Sequence, residues 1–318
     1  MPTRRIQKVG GSTYIVSLPK NWVIRNGLKE KDTINIKIKD KNLILAPEEI
    51  KLSFPDSLEL KLEEHRESLL QLLYSLYYLG VNEIKITSQN SFPISVLNEL
   101  EDFVSSLTGG ELIYEDSKRV LISFFVSVKK LNRYQIFMRF LIILKRMITQ
   151  FLEDPTKVDK IKKLEQDSDK IFHLFNRWYF EVNSGKIVED SVMMELLPFY
   201  LRIIIRLEKL SDILSKLLTD GSFNDKETLD KVKPVFNFLL ERADKYLDSL
   251  SDQVFDAKKI SQGLKEYKSL KAMIETLPDK LQSFALYQVL SFSESSEKDV
   301  LSIFKLLKFT NRDNENNN

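Results

Sequence analysis

The first 47 residues most constrain what this chain can fold into, because they predict a β unit with few large apolar side chains. "STYIVSLP" predicts one strand, and "TINIKIKDKNLILAP" predicts two strands joined by a turn at "KDK". Between them, "PKNWVIRNGL" predicts one or two helical turns that end at Gly27, a residue type that readily closes helices. So small a segment cannot bury enough apolar surface to fold alone, and we expect a second chain to complete its core.

The same segment concentrates positive charge. Between Met1 and Pro47, ten residues are Lys or Arg and three are acidic, which gives a net charge of +7. The whole chain carries only +2, so the remainder carries −5. A basic N-terminal segment on a mildly acidic body predicts an anionic partner for the segment.

The composition excludes several kinds of site. The chain has no Cys and two His, which excludes disulfides, thiolate metal sites and a multi-histidine zinc centre within one chain. Without a Cys nucleophile or a Ser-His-Asp arrangement, we expect no enzymatic activity. No signal peptide is evident, and apolar stretches such as "FLIILKRMITQFL" are too short to span a bilayer. We therefore expect a cytoplasmic protein without membrane insertion.

Periodicity predicts a multidomain α+β protein with a domain at residues 1–50 and three further zones. Residues 51–128 alternate helices and strands, which predicts a small α/β domain. Residues 129–309 are helical almost throughout and predict an all-α helical bundle. The polar residues 310–318 are expected to be a disordered tail.

Within these zones the individual elements follow from apolar spacing and breaker residues. In the α/β zone, "SLELKLEEHRESLLQLLYSLYYLG" and "FPISVLNELEDFVSSLTGG" predict helices, "VNEIKIT" predicts a strand, and "ELIYEDSKRVLISFFV" predicts two strands. In the helical zone, breaks are predicted at 153–156, 183–186, 219–225, 277–280 and 291–299.

The N-terminal segment resembles the SpoVT-AbrB family of swapped-hairpin DNA-binding domains. The resemblance rests on the basic start, the Gly-Ser-Thr turn, "VSLPK", the short helix that ends in "GL", and "KEKDTINI". It departs from the family at Lys31, where a Gly is usual. The resemblance implies a homodimer in which two chains build one small β-barrel with a continuous basic face. The side chains expected to contact DNA are Arg4, Arg5, Lys8, Lys20 and Arg25. A segment that only dimerises is the alternative.

Two pairs of carboxylates in the helical zone have i, i+4 spacing. Glu165 and Asp169 form one pair, and Glu208 and Asp212 form the other. Each pair flanks the apolar stripe of its helix and faces outward, and like charges at this spacing repel. Pairs from adjacent helices could converge on a site for a divalent cation such as Mg²⁺, Mn²⁺ or iron. A solvated acidic face with Lys209 and Lys216 as neighbours is the alternative.

The helices that carry these pairs resemble the PhoU family. "RLEKLSDIL" is similar to its acidic signature, and "LEQDSDKIFHLFNR" is similar to its companion helix. The resemblance implies a helical-bundle regulator of phosphate uptake with metal clusters on the bundle surface, and this order of domains is typical of archaea. Later acidic residues fit the signature poorly, so we expect at most one site. These residues are Glu241, Asp244, Asp248, Glu275 and Asp279.

Together these features predict a DNA-binding transcriptional regulator linked to phosphate uptake, with a sensory or docking body. The alternative is a signalling adaptor that docks on a phosphate transporter or sensor and uses its N-terminal domain only to dimerise. His173 lies beside an apolar stripe and is expected to be structural rather than a ligand or a base.

Overall fold

The computed structural model of the chain divides into two compact units, Met1–Ser53 and Phe54–Asn318. The structure describes residues 3–39, 42–47, 55–129, 131, 133–184, 186–187, 191–221, 226–252, 257–277 and 280–315. Within these residues, no helix is both long enough and apolar enough to cross a membrane.

The described part of the N-terminal unit consists of two β-hairpins separated by a short helix. Strands β1 (Gln7–Val9) and β2 (Thr13–Ile15) pair antiparallel across a turn in which Gly10 and Gly11 both have positive φ. Helix α1 spans Lys20–Arg25 and is followed by Gly27 at φ 65°. Strands β3 (Ile34–Lys39) and β4 (Asn42–Pro47) form the second hairpin. The predicted strands and the helix that ends at Gly27 are confirmed, whereas Asp40 and Lys41 of the predicted turn lie outside the described residues.

No described residue of this unit is buried. Ile36 and Ile38 alternate onto one face of β3, yet their side chains are 62% and 77% exposed. In a single copy, therefore, the apolar residues of the unit have no core to enter.

Residues 57–124 form a four-stranded sheet with helices packed against it. The strands are β5 (Ser57–Lys61), β6 (Glu83–Thr87), β7 (Gly110–Asp116) and β8 (Arg119–Phe124), in the order β5-β6-β8-β7. β5 is parallel to β6, and the other pairs are antiparallel. The helices are α2 (Leu62–His65), α3 (Leu69–Tyr78) and α4 (Ile94–Ser105).

The prediction that residues 57–61 begin a helix is wrong. Leu58 and Leu60 alternate with charged residues, and this period of two lets Leu60 enter the core while the backbone pairs with β6. The helical pattern begins only at Leu62. The remaining predicted strands and helices of this zone are confirmed.

Six helices form the rest of the described chain, and most of their buried apolar residues share one core. They are α5 (Arg133–Glu153), α6 (Val158–Asn183), α7 (Ser191–Thr219), α8 (Lys226–Asp252), α9 (Ala257–Ile274) and α10 (Lys280–Glu315). The breaks predicted after α5, α6 and α7 are confirmed. The separation of α8 from α9 was not predicted. Helix α10 runs to Glu315, so residues 310–315 are helical, and residues 316–318 of the expected disordered tail lie outside the described residues.

The break predicted at 291–299 is wrong, because α10 continues through this serine- and glutamate-rich segment. Several polar residues there have partners within α10 or on a neighbouring helix. Ser296 Oγ donates to the Phe292 carbonyl 2.8 Å away, and Glu294 accepts from Lys271 at 2.7 Å. Tertiary pairing of this kind overrides the weak helix propensity of such residues.

The sheet layer and the helical bundle belong to the same compact unit, and the boundary predicted at 128–129 falls inside it. Arg177 of α6 is 1% exposed and joins the two layers. Its guanidinium donates to Glu181 at 3.2 Å, to the Val81 carbonyl at 3.2 Å and to Asn82 Oδ1 at 2.6 Å. These bonds attach the start of β6 to the middle of the bundle.

Candidate functional site

The five cationic residues predicted to contact DNA are all exposed on the N-terminal unit. Arg4 and Arg5 precede β1, Lys8 lies within β1, and Lys20 and Arg25 are the first and last residues of α1. Within residues 3–39 and 42–47, none of the five forms an ion pair with an acidic residue, and Arg4 donates only to the carbonyl of Thr3. Their positive charge is therefore available to an anionic partner.

The structure brings the predicted acidic pairs of α6 and α7 together. One carboxylate oxygen from each of Glu165, Asp169 and Asp212 lies within 4.8 Å of the others, and all three side chains are half-buried. We call these three residues the acidic cluster. The sequence predicts that the pairs face outward, whereas the contact between α6 and α7 partly covers them.

Small side chains allow this close approach of the two helices. Ser168 and Ser211 are buried between α6 and α7, and their hydroxyl oxygens lie 2.7 Å apart. Each serine immediately precedes one of the aspartates of the cluster. A larger residue at either position would separate the helices and thus the carboxylates.

Glu208 lies beside the acidic cluster and completes the second predicted pair. Lys209 contacts both acids of α7, at 3.5 Å from Glu208 and 3.1 Å from Asp212. Lys216, the other predicted neighbour, acts on Glu165 through space. The alternative of an acidic face neutralised by lysines therefore has a structural basis on the α7 side, but a net negative charge remains.

Burial and mutual repulsion raise the pKa values of the carboxylates on α6. Burial, followed by repulsion from Glu165 and Asp212, raises the pKa of Asp169 to about 7. The pKa of Glu165 is raised by burial and by Asp212. A carboxyl group with a pKa near neutrality exchanges its proton readily when a cation binds or when the pH changes.

His173 continues the spacing of Glu165 and Asp169 by one further step along α6. Its Nδ1 lies 2.6 Å from the Tyr78 hydroxyl, and its ring stacks on Tyr74 at a centroid distance of 4.7 Å. Burial lowers the pKa of His173 to about 4, so the ring is neutral near pH 7. The histidine thus connects α3 of the sheet layer to the helix that carries the acidic cluster. Sequence reasoning missed this contact, although the repeated four-residue spacing was visible.

The later acidic residues do not assemble a second cluster within the described part of the chain. Glu241 pairs with Lys245, and Asp244 pairs with Lys145. The side chains of Asp248 and Asp279 lie outside the described residues.

One family model matches part of the chain. Residues 7–52 match the antidote-toxin recognition MazE family of bacterial antitoxins. No curated protein and no solved structure matches the chain.

The match supports the AbrB-like part of the resemblance and does not extend to the rest of the chain. Its limits nearly coincide with the N-terminal unit, which contains the five exposed cations. An antitoxin-like domain of this type points to DNA binding or antitoxin-type regulation. The resemblance of the helical bundle to PhoU still rests on its acidic motifs alone.

Proposed function

We propose that this protein is a DNA-binding regulator whose N-terminal unit contacts the phosphate backbone through Arg4, Arg5, Lys8, Lys20 and Arg25. The observation that carries the proposal is the set of exposed cations, without acidic partners in the described residues, on a unit that matches an antitoxin family model. Lys and Arg supply most of the affinity of proteins for DNA by displacing condensed counterions. Bidentate contacts from an arginine to guanine would add sequence preference.

The proposal includes a homodimer built by two N-terminal units. Ile6, Ile24 and Ile38 are each more than 60% exposed in one copy, and a second copy would cover such surfaces. Dimerisation would also double the number of cations presented to one duplex. Both effects explain how a unit without a buried core contributes to binding.

A comparison of the DNA affinities of two triple variants tests the DNA-binding proposal. The first is Arg4→Ala/Arg5→Ala/Lys8→Ala, and its matched control is Lys160→Ala/Lys162→Ala/Lys163→Ala, which removes three exposed lysines from α6. Fluorescence anisotropy on a labelled duplex from the chain's own upstream region measures the affinity. We expect the first variant to bind at least about tenfold more weakly, since each lost phosphate contact reduces the electrostatic attraction. Equal affinities of the two variants would contradict the proposal.

For the body we propose that the acidic cluster binds a divalent cation and thereby responds to conditions in the cell. Glu165, Asp169 and Asp212 would supply oxygen ligands, which suit Mg²⁺, Mn²⁺ or iron. A bound cation would offset the repulsion that raises the pKa values of Asp169 and Glu165. Isothermal titration of the full chain with MnCl₂ tests this. Loss of binding in Asp169→Asn, but not in Asp167→Asn on the same helix, is expected, and equal binding by both variants would overturn the assignment.

The link to phosphate uptake is the most specific part of the proposal, and the similarity of the acidic helices to PhoU supports it. In this form of the proposal the body senses phosphate status or docks on a phosphate transporter or its regulator. A reporter under the upstream region, compared at low and high phosphate with and without the cluster variant, tests the link. An identical response in both strains would remove phosphate from the proposal.

A second function is favoured by the exposed apolar residues of the N-terminal unit. In this reading the unit dimerises or recognises a protein, and the body acts as an adaptor. DNA binding that is absent at low salt, together with an intact dimer, would select this function over the first.

A further inference from the structure

We propose that the helical bundle binds a small neutral molecule with an apolar body and one hydroxyl group, such as a phenol, in a cavity between α5, α7, α8 and α10. The cavity has a volume of about 100 Å³. It is formed by helices other than α6, which supplies two of the three residues of the acidic cluster. The inference therefore goes beyond the proposed function and does not depend on it.

Most of the surface that lines the cavity is apolar. Phe137, Leu144, Leu207 and Leu210 are among the residues that line it, and each is at least nine-tenths buried. Protein interiors are close-packed, and voids larger than a water molecule are few. An apolar cavity of about 150 Å³ in another protein stays dry and binds benzene. The cavity of this chain, at about 100 Å³, is of the same order, so its volume and lining suit a small aromatic or aliphatic group.

One wall of the cavity is polar, and its charges are already paired. Arg242 and Glu297, which are 2% and 3% exposed, both line the cavity. Arg242 donates to the two oxygens of Glu297 at 2.8 and 2.6 Å. A charged ligand would have to compete with this buried ion pair, and an isolated buried charge is costly. The cavity therefore favours a neutral ligand.

The Glu297 carboxylate has remaining capacity to accept a hydrogen bond. Among the described residues it accepts two bonds from Arg242 and one from Tyr267 at 2.6 Å. Its Oε2 accepts from Arg242 alone, whereas a carboxylate offers about four acceptor positions. A ligand hydroxyl that donates to this oxygen would occupy the remaining position. Such charge-assisted bonds are stronger than neutral ones, so the hydroxyl gives the site its selectivity.

Titration of the full chain with three probes of similar size tests the proposal. Phenol, benzene and benzoate are compared by isothermal titration calorimetry. We expect saturable binding of one phenol per chain, about tenfold weaker binding of benzene because it lacks the hydroxyl, and no binding of benzoate. Absence of saturable phenol binding would overturn the site. Benzene that binds as tightly as phenol would overturn the role of Glu297, and benzoate binding would overturn the preference for neutral ligands.

A pair of alanine variants locates the binding. Ala243 lines the cavity, so Ala243→Leu should fill it and abolish phenol binding. Ala285 packs against the same core without lining the cavity, so Ala285→Leu is the matched control and should retain binding. Unchanged phenol binding in Ala243→Leu would overturn the proposal. If this variant does not fold, the comparison of the three probes on the natural chain decides the question.

Discussion

Lys31 adopts a backbone conformation that glycine prefers. Its φ is 74°, the one positive value at a non-glycine position in the described chain, and the resembling family usually has Gly there. The following residue holds the turn, because Asp32 Oδ2 accepts from the Lys29 amide at 2.6 Å. The departure from the family motif therefore leaves the shape of the turn intact and replaces a permissive residue by a strained one.

We expect Lys31→Gly to stabilise the N-terminal unit by about 1 kcal/mol, because glycine reaches this φ without a clash of its Cβ. Lys31→Ala removes the same charge but keeps the Cβ, so it should change the free energy of unfolding by much less. Urea unfolding of the full chain in a Trp178→Phe background, in which Trp22 is the remaining tryptophan, measures both by fluorescence. A less stable Lys31→Gly variant would contradict the interpretation.

Asp169 makes stability depend on pH. Its pKa is about 7 in the folded chain and 3.8 for an unperturbed aspartate, so the folded state holds its proton more tightly than the unfolded state. The free energy of unfolding therefore falls as the pH rises from about 4 to 7. Glu165, Glu208 and Asp212 increase this effect and Lys209 opposes it.

We expect Asp169→Asn to remove much of this pH-dependent fall in the free energy of unfolding. The variant should stabilise the chain at pH 8 by about 1 to 2 kcal/mol, since solvent screening of the half-exposed carboxylate limits the effect. At pH 4 the variant and the natural chain should be nearly equal. Unfolding in urea at both pH values provides the test, with Asp167→Asn as the control. A variant that is less stable than the natural chain at pH 8 would show that the carboxylate is not strained.

For single helices, the spacing of the acidic residues was the informative pattern. The i, i+4 pairs indicated one face of each helix, and the structure places both pairs at the contact of α6 with α7. The buried contact of Ser168 with Ser211 allows the acidic cluster to lie within 4.8 Å. That contact is tertiary and leaves no periodic signal, so the partial burial of the cluster could not be predicted.

The two wrong assignments have the same physical origin. At residues 57–61 the sequence pattern favours a helix, but the segment pairs in parallel with β6. At 291–299 the serines favour a break, but Ser293 contacts Tyr267 and Glu294 accepts from Lys271 of α9. In both segments, distant contacts override local preference. The elements with strong apolar periodicity, such as α6 and β6, needed no such information.

The contact between α6 and the sheet layer depends on Arg177. We expect Arg177→Met to destabilise the chain by about 3 kcal/mol, because it leaves the buried Glu181 carboxylate, 3.2 Å from Arg177, without its cation. The double variant Arg177→Met/Glu181→Gln removes both charges and should recover part of this loss. Urea unfolding of the two variants gives the comparison. A double variant less stable than the single one would exclude an uncompensated charge as the cause.

For the whole molecule, the chain divides into a unit in which no described residue is buried and a unit that contains two large apolar cores. The sequence predicted this division from the small number of apolar residues in its first 47 positions, and the structure shows no buried residue among the described part of that unit. What the sequence could not supply is how the second unit is layered, since Arg177 and His173 carry contacts between segments far apart in the chain.

We expect Ile38→Glu to convert the proposed dimer to a monomer, because it replaces an apolar side chain that is 77% exposed in one copy, and that a second copy would cover, by a charged one. Ile94, which is 73% exposed on the second unit, provides the control Ile94→Glu. Light scattering after size-exclusion chromatography reports the mass. A dimer in both variants would contradict dimerisation through β3.

The salt dependence of DNA binding by the natural chain tests whether the N-terminal cations contact phosphates. If a dimer presents five N-terminal cations from each chain to phosphates, the affinity should fall by about a hundred-thousandfold between about 50 and 200 mM salt, and the magnitude of the slope should decrease by about 0.9 for each cation removed from the dimer. Anisotropy titrations at four salt concentrations, on specific and random duplexes, supply the slope. If the chain is dimeric and binds neither duplex detectably at the lowest salt concentration, DNA binding by the N-terminal unit is contradicted.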